Sequence, residues 1–375
     1  MQKSLAAALT LVTVACSQPP DVKAPSTPAR ATHAAPAPLQ ATDPLAELLG
    51  AQPEATRFPL LPAAEPASPR ACLEASTSLG SAGLYRTDPW SKGEVVLTFD
   101  DGPHPTATPR VLDQLAAHEL PATFFVVGRA INRDTYRLVQ RVVDEGHTLG
   151  SHSYSHDVNM TKVGAPEATV ETIVGQHAVT AMLIDISLVA TSGDDFDDMF
   201  EQVFERDPAA WLPAHKIRDS FETYAARHRD LLDARGYDDD QRPYDVLYSR
   251  PPGGGPYVQT DGAAGRALYD QALRRLNMMN VMWHGASGDT VPDKRSDFAF
   301  LTSNMEKYSK SGGVLLVHDY MRSDALAHAL ADMAEGGVKV VPLADAAVRK
   351  VACPAPGNAL PSALAGLPFA SSTGG

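Results

Sequence analysis

The chain has 375 residues, of which 44% are hydrophobic and 21% are charged, so it is long enough to bury a large core. Its formal net charge is −13, and the sequence contains no basic patch of the size that a nucleic-acid-binding protein needs. The acidic balance likewise gives no attraction to an anionic membrane surface. Neutral and cationic partners are compatible with this composition.

Residues 1–16 are predicted to be an export signal of the lipoprotein type. Lys3 precedes a short apolar run over 5–14, and a small residue stands before Cys16. The run is too short to span a bilayer, which needs about 20 apolar residues. Cys16 lies where a bacterial lipoprotein carries its lipidation cysteine, and Ser17 after it favours the periplasmic face of the outer membrane. The lipid anchor would then be the sole membrane contact. An ordinary cleaved signal, with release into the periplasm or secretion, is the alternative.

The composition divides the rest of the chain into a linker, a domain and a tail. Residues 17–70 are rich in Pro, Ala, Thr and Ser without hydrophobic periodicity, which predicts a disordered linker. Residues 354–375 are predicted to be a similar tail, so the folded domain is expected over 71–353. Cys72 and Cys353 lie at the two ends of that domain. A disulfide between them would join the ends in an oxidising compartment, and two unpaired thiols are the alternative.

Strand and helix patterns alternate within the predicted domain. The predicted strands are 94–99, 122–127, 148–150, 244–248, 280–284, 314–318 and 338–341. The predicted helices include 108–119, 133–145 and 167–190. This alternation indicates parallel strands in an α/β fold, either an open doubly wound sheet or a barrel. In both architectures catalytic residues lie just past the carboxyl ends of the strands.

Chemically reactive side chains follow five of the predicted strands. They are Asp100 and Asp101 after the first, His152 and His156 after the third, Arg250 with Pro251, Pro252, Gly253 and Gly254 after the fourth, Trp283, His284 and Asp289 at and after the fifth, and His318 at the end of the sixth. Each of these alone has an ordinary structural explanation, such as an Asx turn or a chance histidine pair. Their succession at strand ends instead predicts one shared site.

These segments resemble the motifs of polysaccharide deacetylases of the chitin-deacetylase and nodulation-deacetylase type, carbohydrate esterase family 4. The matching segments are Thr98–Pro103, His152–His156, Arg250–Gly254, Asp289 after Trp283, and Leu315–His318. The resemblance extends over about 92–343. It implies a distorted (β/α) barrel with fewer than eight regular strands and one divalent metal ion. Zinc is the metal expected first, with cobalt, manganese and nickel as the other choices.

The resemblance also implies a role for each residue. Asp101, His152 and His156 would hold the metal ion, with positions left open for water and substrate. Asp100 would be the general base that takes a proton from water, and Arg250 would orient its carboxylate.

On the opposite side of the reaction, His318 would be the general acid that protonates the leaving amine. Asp289 would hold His318 as an imidazolium. The backbone N–H of Gly253 would stabilise the oxyanion, and Trp283 would contact the substrate.

Three features depart from the family pattern. Gly253 stands where members often carry a tyrosine, and Ala286 and Thr290 stand where an aspartate and a tryptophan are common. The changes at Gly253 and Thr290 each remove a wall of the expected substrate groove. The third departure is an insertion over about 191–242, which is predicted to be a small helical subdomain at one rim of the groove. A solvated excursion without a role in binding is the alternative.

The predicted function is metal-dependent hydrolysis of N-acetyl groups from N-acetylglucosamine residues of a polysaccharide, either peptidoglycan or a chitin-like polymer. The N-acetylated glycan is the expected partner. One alternative is a catalytically inactive glycan-binding lipoprotein on the same fold. The other is an O-acetyl esterase acting on an acetylated glycan such as xylan.

Overall fold

The computed structural model describes residues 68–238, 241–259 and 262–353. The predicted signal segment with Cys16, almost all of the predicted linker, and the predicted tail lie outside the described residues. The first described helix, α1 at Pro69–Glu74, begins two residues before the predicted start of the domain. Proline is favoured in the first turn of a helix, and the Ser68 side chain caps α1 by accepting from the Ala71 N–H.

A parallel sheet forms the centre of the fold. In the described ranges its strands are β1 Gly83–Leu84, β2 Glu94–Asp100, β3 Thr123–Val126, β4 Thr148–Ser151, β5 Tyr248–Ser249, β6 Met279–Val281, β7 Gly285–Ala286, β8 Gly313–His318 and β9 Lys339–Val340. Their order is β1-β6-β5-β4-β3-β2-β8-β7, with β9 also pairing with β2. The pairs are parallel throughout. The prediction of a distorted (β/α) barrel is confirmed.

Helices connect most of the strands. After α1 they are α2 Ala107–Ala116, α3 Tyr136–Asp144, α4 Val170–Val189, α5 Gly193–Phe204, α6 Ala214–Ala234, α7 Ala263–Leu276, α8 Phe298–Ser311, α9 Ser323–Glu335 and α10 Leu343–Ala347. The buried faces of α2 to α9 pack with β2 and β8 in one hydrophobic core, whereas α1 and α10 pack with β6 in a second cluster. The helix between strands is what allows successive strands to run parallel.

The predicted strand over 244–248 is wrong in extent, because the structure forms a strand at Tyr248–Ser249 alone. The Leu149 N–H of β4 donates to the side-chain hydroxyl of Tyr244 at 3.0 Å. The Tyr244 N–H lies 3.3 Å from Asp185 Oδ1 on α4. The Tyr244 hydroxyl and Asp185 of α4 therefore take hydrogen bonds that backbone groups of β4 and residue 244 would have made in a regular strand pairing.

Helix α4 is long and apolar enough, by composition, to cross a membrane. It is the one helix in the described ranges that passes this test, and 89% of its most apolar window is buried inside the protein. Helices α3, α5, α6 and α7 pack against it. Its hydrophobicity is explained by this central position in the core.

The predicted insertion forms α5 and α6, but it is not a separate subdomain. Phe196, Phe200 and Phe204 recur every four residues on α5, so they share one face, and all three are buried in the main core. Helix α6 packs on α4. The insertion is therefore part of the barrel domain. Its apolar side chains are buried in the main core and do not form a separate core of their own.

A disulfide joins the two ends of the described domain. Cys72 and Cys353 are paired with a Cα–Cα distance of 5.3 Å, although 281 positions separate them in the sequence. The alternative of two unpaired thiols is therefore wrong for this structure. Closing so long a loop stabilises a fold by up to about 5 kcal/mol in the chain-entropy model.

Candidate metal centre and active site

The register of the sheet brings the predicted site residues to one edge. Asp100 and His318, the last residues of β2 and β8, are direct neighbours in the ladder. The last residues of β4 and β5 pair in the same way, so His152 and Arg250 each follow a paired strand end. Because these strands run parallel, their carboxyl ends lie at the same edge of the sheet.

Asp101, His152 and His156 form a cluster that could hold a metal ion. One ligand atom from each residue can be chosen so that the three atoms lie within 4.8 Å of one another. Asp101 Oδ1 lies 3.0 Å from His156 Nε2 and 3.5 Å from His152 Nε2. One carboxylate and two imidazoles are typical ligands of a catalytic zinc site, which keeps positions open for water and substrate.

The surroundings of this cluster fit a bound cation. His152 Nδ1 lies 2.9 Å from the carbonyl oxygen of Arg250. A carbonyl only accepts, so Nδ1 carries the proton and Nε2 presents its lone pair to the cluster. Asp101 Oδ1 is buried and has no hydrogen-bond partner of good geometry among the described residues. A buried carboxylate oxygen in that condition is costly unless a cation compensates it.

The ionisation of the cluster also suits a metal ion. Burial by itself would raise the pKa of Asp101, but the approach of His156 and the charges on His152 and His318 outweigh burial and lower this pKa below its usual range. Burial lowers the pKa of His152. Asp101 is therefore ionised and His152 neutral near pH 7, and these are the forms that bind metal.

Asp100 is a buried carboxylate whose two oxygens differ in environment. Oδ1 accepts a hydrogen bond from Arg250 Nη1 at 2.7 Å. Oδ2 faces the metal-ligand cluster, 3.6 Å from His152 Nε2. Arg250 thus holds one oxygen in place and leaves the other directed at the cluster.

Arg250 is itself fixed on several sides and has no exposed surface. Its Nη1 also donates to Thr98 Oγ1 at 2.9 Å, and its Nε donates to the Val281 carbonyl at 2.8 Å. Its guanidinium carbon lies 4.2 Å from the centre of the Phe125 ring. A planar guanidinium that makes several hydrogen bonds has little freedom to rotate, so it fixes the Asp100 carboxylate in one orientation.

His318 and Asp289 form a second buried pair at the same edge. Asp289 Oδ1 lies 2.8 Å from His318 Nδ1, and Asp289 Oδ2 accepts from the His318 backbone N–H at 2.8 Å. Burial would lower the pKa of His318, but the hydrogen bond and charge of Asp289, with smaller effects from Asp100 and Asp101, raise it to about 9. His318 is therefore protonated near pH 7, with Nε2 4.0 Å from Asp101 Oδ2.

Three residues of the metal motifs adopt a left-handed backbone. Asp101, Ser153 and His156 have φ angles of 75°, 64° and 54°. This conformation is uncommon outside glycine and costs roughly 1–3 kcal/mol where the surrounding structure enforces it. Such strain clusters at functional sites, and here it aims the ligand atoms of Asp101 and His156 at one another.

The two predicted substrate contacts lie at the rim of this cluster. Gly253 is exposed, has a φ of 60°, and a Cβ there would approach Val158, two residues past His156. Trp283 is half-buried with its ring centre 5.7 Å from the Arg250 guanidinium. The oxyanion contact of Gly253 stays a prediction. His284 lies elsewhere, since its Nδ1 accepts from the Val314 N–H near the start of β8.

Two residues that directly follow His318, Asp319 and Tyr320, also lie at this edge and were not predicted from the sequence. Tyr320 is 52% exposed, its ring stacks on His318 at 5.0 Å between centroids, and its hydroxyl lies 3.3 Å from Asp101 Oδ2. Asp319 is buried and accepts from the Thr108 hydroxyl. Burial, with the charges of Asp101 and Asp100, raises the pKa of Asp319 to about 7. Their position at a strand end was the one signal that could have found them.

Comparison with known proteins covers the part of the chain that contains the first half of the site. Residues 87–185 match the family model described as polysaccharide deacetylase, and this range includes Asp100, Asp101, His152 and His156. This segment of the chain therefore belongs to the polysaccharide deacetylase family. The match ends before Arg250, so the second half of the site rests on the geometry above.

Curated relatives match over short segments. A peptidoglycan-N-acetylglucosamine deacetylase of Bacillus cereus is 46% identical over 80 residues, which is 21% of this chain and 28% of the relative. A chitooligosaccharide deacetylase of Sinorhizobium fredii is 53% identical over 62 residues, 16% of this chain and 28% of the relative. The chain thus matches less than a third of the length of either relative.

Solved structures match a larger share of the chain than the curated relatives do, but at lower sequence identity. The peptidoglycan deacetylase PdaC from Bacillus subtilis is 20% identical with a TM-score of 0.44, over 69% of this chain and 93% of that one. A family pseudoenzyme from Bacillus anthracis is 19% identical with a TM-score of 0.44, over 69% and 66%. Similarity at this level says nothing about whether this chain is active.

Proposed function

We propose that this protein is a metal-dependent deacetylase that hydrolyses N-acetyl groups on N-acetylglucosamine residues of a polysaccharide. The observation that carries the proposal is the placement of two opposed proton-transfer groups around one metal-ligand cluster. Asp100 and His318 lie on neighbouring strands, and the cluster of Asp101, His152 and His156 comes within 4.0 Å of both side chains. A binding protein has no need of a buried base, its arginine partner and a carboxylate-held histidine together.

A divalent cation held by Asp101, His152 and His156 would polarise the acetamide carbonyl and increase the acidity of a water molecule. Zinc suits this set, because it accepts mixed oxygen and nitrogen ligands in tetrahedral geometry. Cobalt, manganese and nickel are the other candidates. His152 is oriented for this role by its Nδ1 contact with the Arg250 carbonyl.

Asp100 acts as the general base in this proposal. Its Oδ1 is occupied by Arg250, so Oδ2 receives the proton of the attacking water. The guanidinium holds this carboxylate in one orientation while Oδ2 takes the proton. Because the pair is buried, its electrostatic effect is stronger than it would be in water.

His318 acts as the general acid. It is protonated at neutral pH because Asp289 accepts from Nδ1, which leaves Nε2–H directed toward the cluster. Once the water oxygen has added to the acetyl carbon, donation of that proton to the sugar nitrogen allows the C–N bond to break, which releases acetate and the free amine. After the step Asp289 again favours the protonated form of His318, so the acid is restored from solvent.

The glycan class is proposed from the relatives and the site together. The relatives named above act, by their names, on peptidoglycan N-acetylglucosamine and on chitooligosaccharides. The open rim at Gly253 and Thr290 leaves space beside the reacting unit. We place the protein outside the cytoplasm, at the periplasmic face of the outer membrane through Cys16, on the basis of the signal-like residues 1–16 and the disulfide.

The test is acetate release by the full-length protein, stripped of metal and reconstituted with zinc. Peptidoglycan, N-acetylglucosamine oligomers and acetylated xylan would be compared, with Asp100→Asn beside the wild type. We expect release from an N-acetylated glycan that requires metal and is lost in the variant. Release from xylan alone would indicate the O-acetyl esterase instead. Retention of glycan without any release would indicate the binding protein.

A further inference from the structure

An open cavity of about 590 Å³ lies beside the metal motif and is not used by the mechanism above. One wall is the segment after β3, from Arg129 to Asp134, and the other is the insertion, with Asp197 on α5 and 207–211 after it. Its volume falls within the range of about 300–1,000 Å³ that small-molecule sites occupy. The walls come from two parts of the chain that the family motifs do not include.

The cavity lies at the same edge of the sheet as the metal cluster. Strand β3 lies between β2 and β4, so the segment that follows it emerges between the two metal motifs. The Arg129 N–H donates to the Tyr154 carbonyl at 2.9 Å. Tyr154 stands between His152 and His156 in the sequence and lines the cavity.

The same tyrosine positions the insertion. The Tyr154 hydroxyl accepts from the Leu212 N–H at 2.9 Å, and Leu212 is fully buried. Trp211, the residue before it, is 52% exposed at the wall of the cavity. The backbone that carries Trp211 is therefore anchored directly to the metal-binding loop.

Trp211 gives the cavity the character of a sugar-binding surface. Arg129 covers part of its indole ring at 5.4 Å, and half of the side chain remains open to solvent. An exposed, anchored indole offers a flat apolar face with polar groups around it. A β-linked glucosamine ring presents the matching surface, with axial C–H bonds on its faces and hydroxyl groups on its edge.

The charges around the ring suit a neutral ligand. Arg133 is neutralised by Asp194 and Asp197 at the cavity wall. Asp134 and Asp207 are exposed at the lining and can accept hydrogen bonds from hydroxyl groups. Positive and negative groups are interspersed, so the cavity does not select a strongly charged molecule.

We propose that this cavity is a binding subsite for a second sugar residue of the glycan whose other residue is deacetylated, with Trp211 as the stacking platform. The inference rests on the proposed function for the identity of the glycan. It predicts that an oligomer long enough to occupy the metal centre and the cavity together is a better substrate than one that occupies the metal centre alone.

The test compares kcat/KM for N-acetylglucosamine dimers and hexamers in the zinc-loaded full-length protein. We expect the wild type to prefer the hexamer. Trp211→Ala should lose about tenfold on the hexamer and less than twofold on the dimer, since truncation of an aromatic anchor commonly has this size. Trp211→Phe should restore most of the loss. An equal loss on both substrates, or none on the hexamer, would overturn the subsite.

A matched pair of arginine and lysine variants controls for surface charge. Arg129 lies over Trp211 in the cavity, whereas Lys307 lies over the Tyr308 ring on α8. Arg129→Ala should weaken the preference for the hexamer, and Lys307→Ala should leave it unchanged. A loss of the same size in both would attribute the effect to general surface charge and contradict the proposal.

A binding measurement separates this inference from the proposed function. Titration calorimetry would measure hexamer binding to Asp100→Asn with and without Trp211→Ala. Binding that is about tenfold weaker in the double variant would support the subsite even if the wild type released no acetate, in which case the deacetylase proposal alone would fail. Equal binding in the two proteins, or no binding in either, would overturn the subsite even if acetate is released.

Discussion

Two regions meet at the carboxyl edge of the sheet, and they are built in opposite ways. The strand-end site contains Asp100, Arg250, Asp289 and His318, which are all buried and hydrogen-bonded to one another in pairs. The rim carries Trp211 and Tyr320, each 52% exposed, on segments outside the strands. In the strand-end site each side chain depends on a buried hydrogen-bond partner, whereas half of each rim side chain is in contact with solvent.

This difference indicates how the protein divides chemistry from substrate choice. A buried polar group requires a partner, so a change at one member of the site leaves another group unpaired. An exposed rim residue can change without that penalty, since water satisfies what is left. Two departures from the family pattern, Gly253 and Thr290, are exposed, whereas Ala286 lies in β7 and the insertion packs into the core apart from residues such as Trp211. The substitutions below test whether the two regions behave as differently as their construction suggests.

The largest effect is expected for Asp100→Asn. An amide cannot take the proton from water, so kcat should fall by about 10³-fold, within the range for loss of a positioned general base. Asp113→Asn is a matched control, because Asp113 is an exposed carboxylate that also pairs with an arginine, Arg141. Acetate release would be measured for both, and substantial activity in Asp100→Asn would remove Asp100 from the role of base.

Arg250→Lys should lower the free energy of unfolding by about 3 kcal/mol. A lysine cannot reach Asp100, Thr98 and the Val281 carbonyl together, so buried groups lose their partners. Chemical denaturation would measure this, beside Trp211→Ala at the rim, for which a change within about 0.5 kcal/mol is expected. Similar losses in the two variants would contradict the contrast between the regions.

Asp289→Asn should lower kcat by about 100-fold and change its pH dependence. Asp289 raises the pKa of His318, so its removal lowers that pKa. The acid form is present below the pKa and lost above it. The alkaline fall in kcat should therefore move to lower pH in the variant. A pH–kcat profile in which the fall does not move would show that His318 is not the group protonating the leaving amine.

The smallest effect is expected for Tyr320→Phe. The change removes the hydroxyl contact with Asp101 and keeps the ring that stacks on His318. Metal affinity should weaken by about tenfold, as for other groups that orient a ligand, with kcat unchanged at saturating metal. Competition with a chelator would measure the affinity. Tyr320→Ala, which also removes the stacking, should in addition alter kcat, and identical behaviour of the two variants would contradict this division.

Much of the fold follows from local patterns. The buried run at Glu94–Asp100 predicted its strand, and the alternation of strands with helices predicted parallel pairing and a barrel-like sheet. The strand near Tyr244 was mispredicted, because its ladder bonds are taken by a side-chain hydroxyl and by α4. The insertion was predicted to be helical, and its sequence left open which core its helices would join.

The residue types at the strand ends can be read from the sequence, because continuous apolar runs and the turn residues that follow them are local signals that show where a strand stops. Asp100, Asp101, His152, His156, Arg250 and His318 were all found in that way. The pairing of Arg250 with Asp100, 150 positions apart, was implied by the family resemblance and not by any local signal. The contact of Leu212 with Tyr154, 58 positions apart, was not predicted, since it depends on how distant parts of the chain pack. Whether Trp211 faces solvent or core, and whether Tyr320 meets the metal loop, follows from how the helices pack on the sheet. Packing of that kind is collective, so no single segment of the chain encodes it.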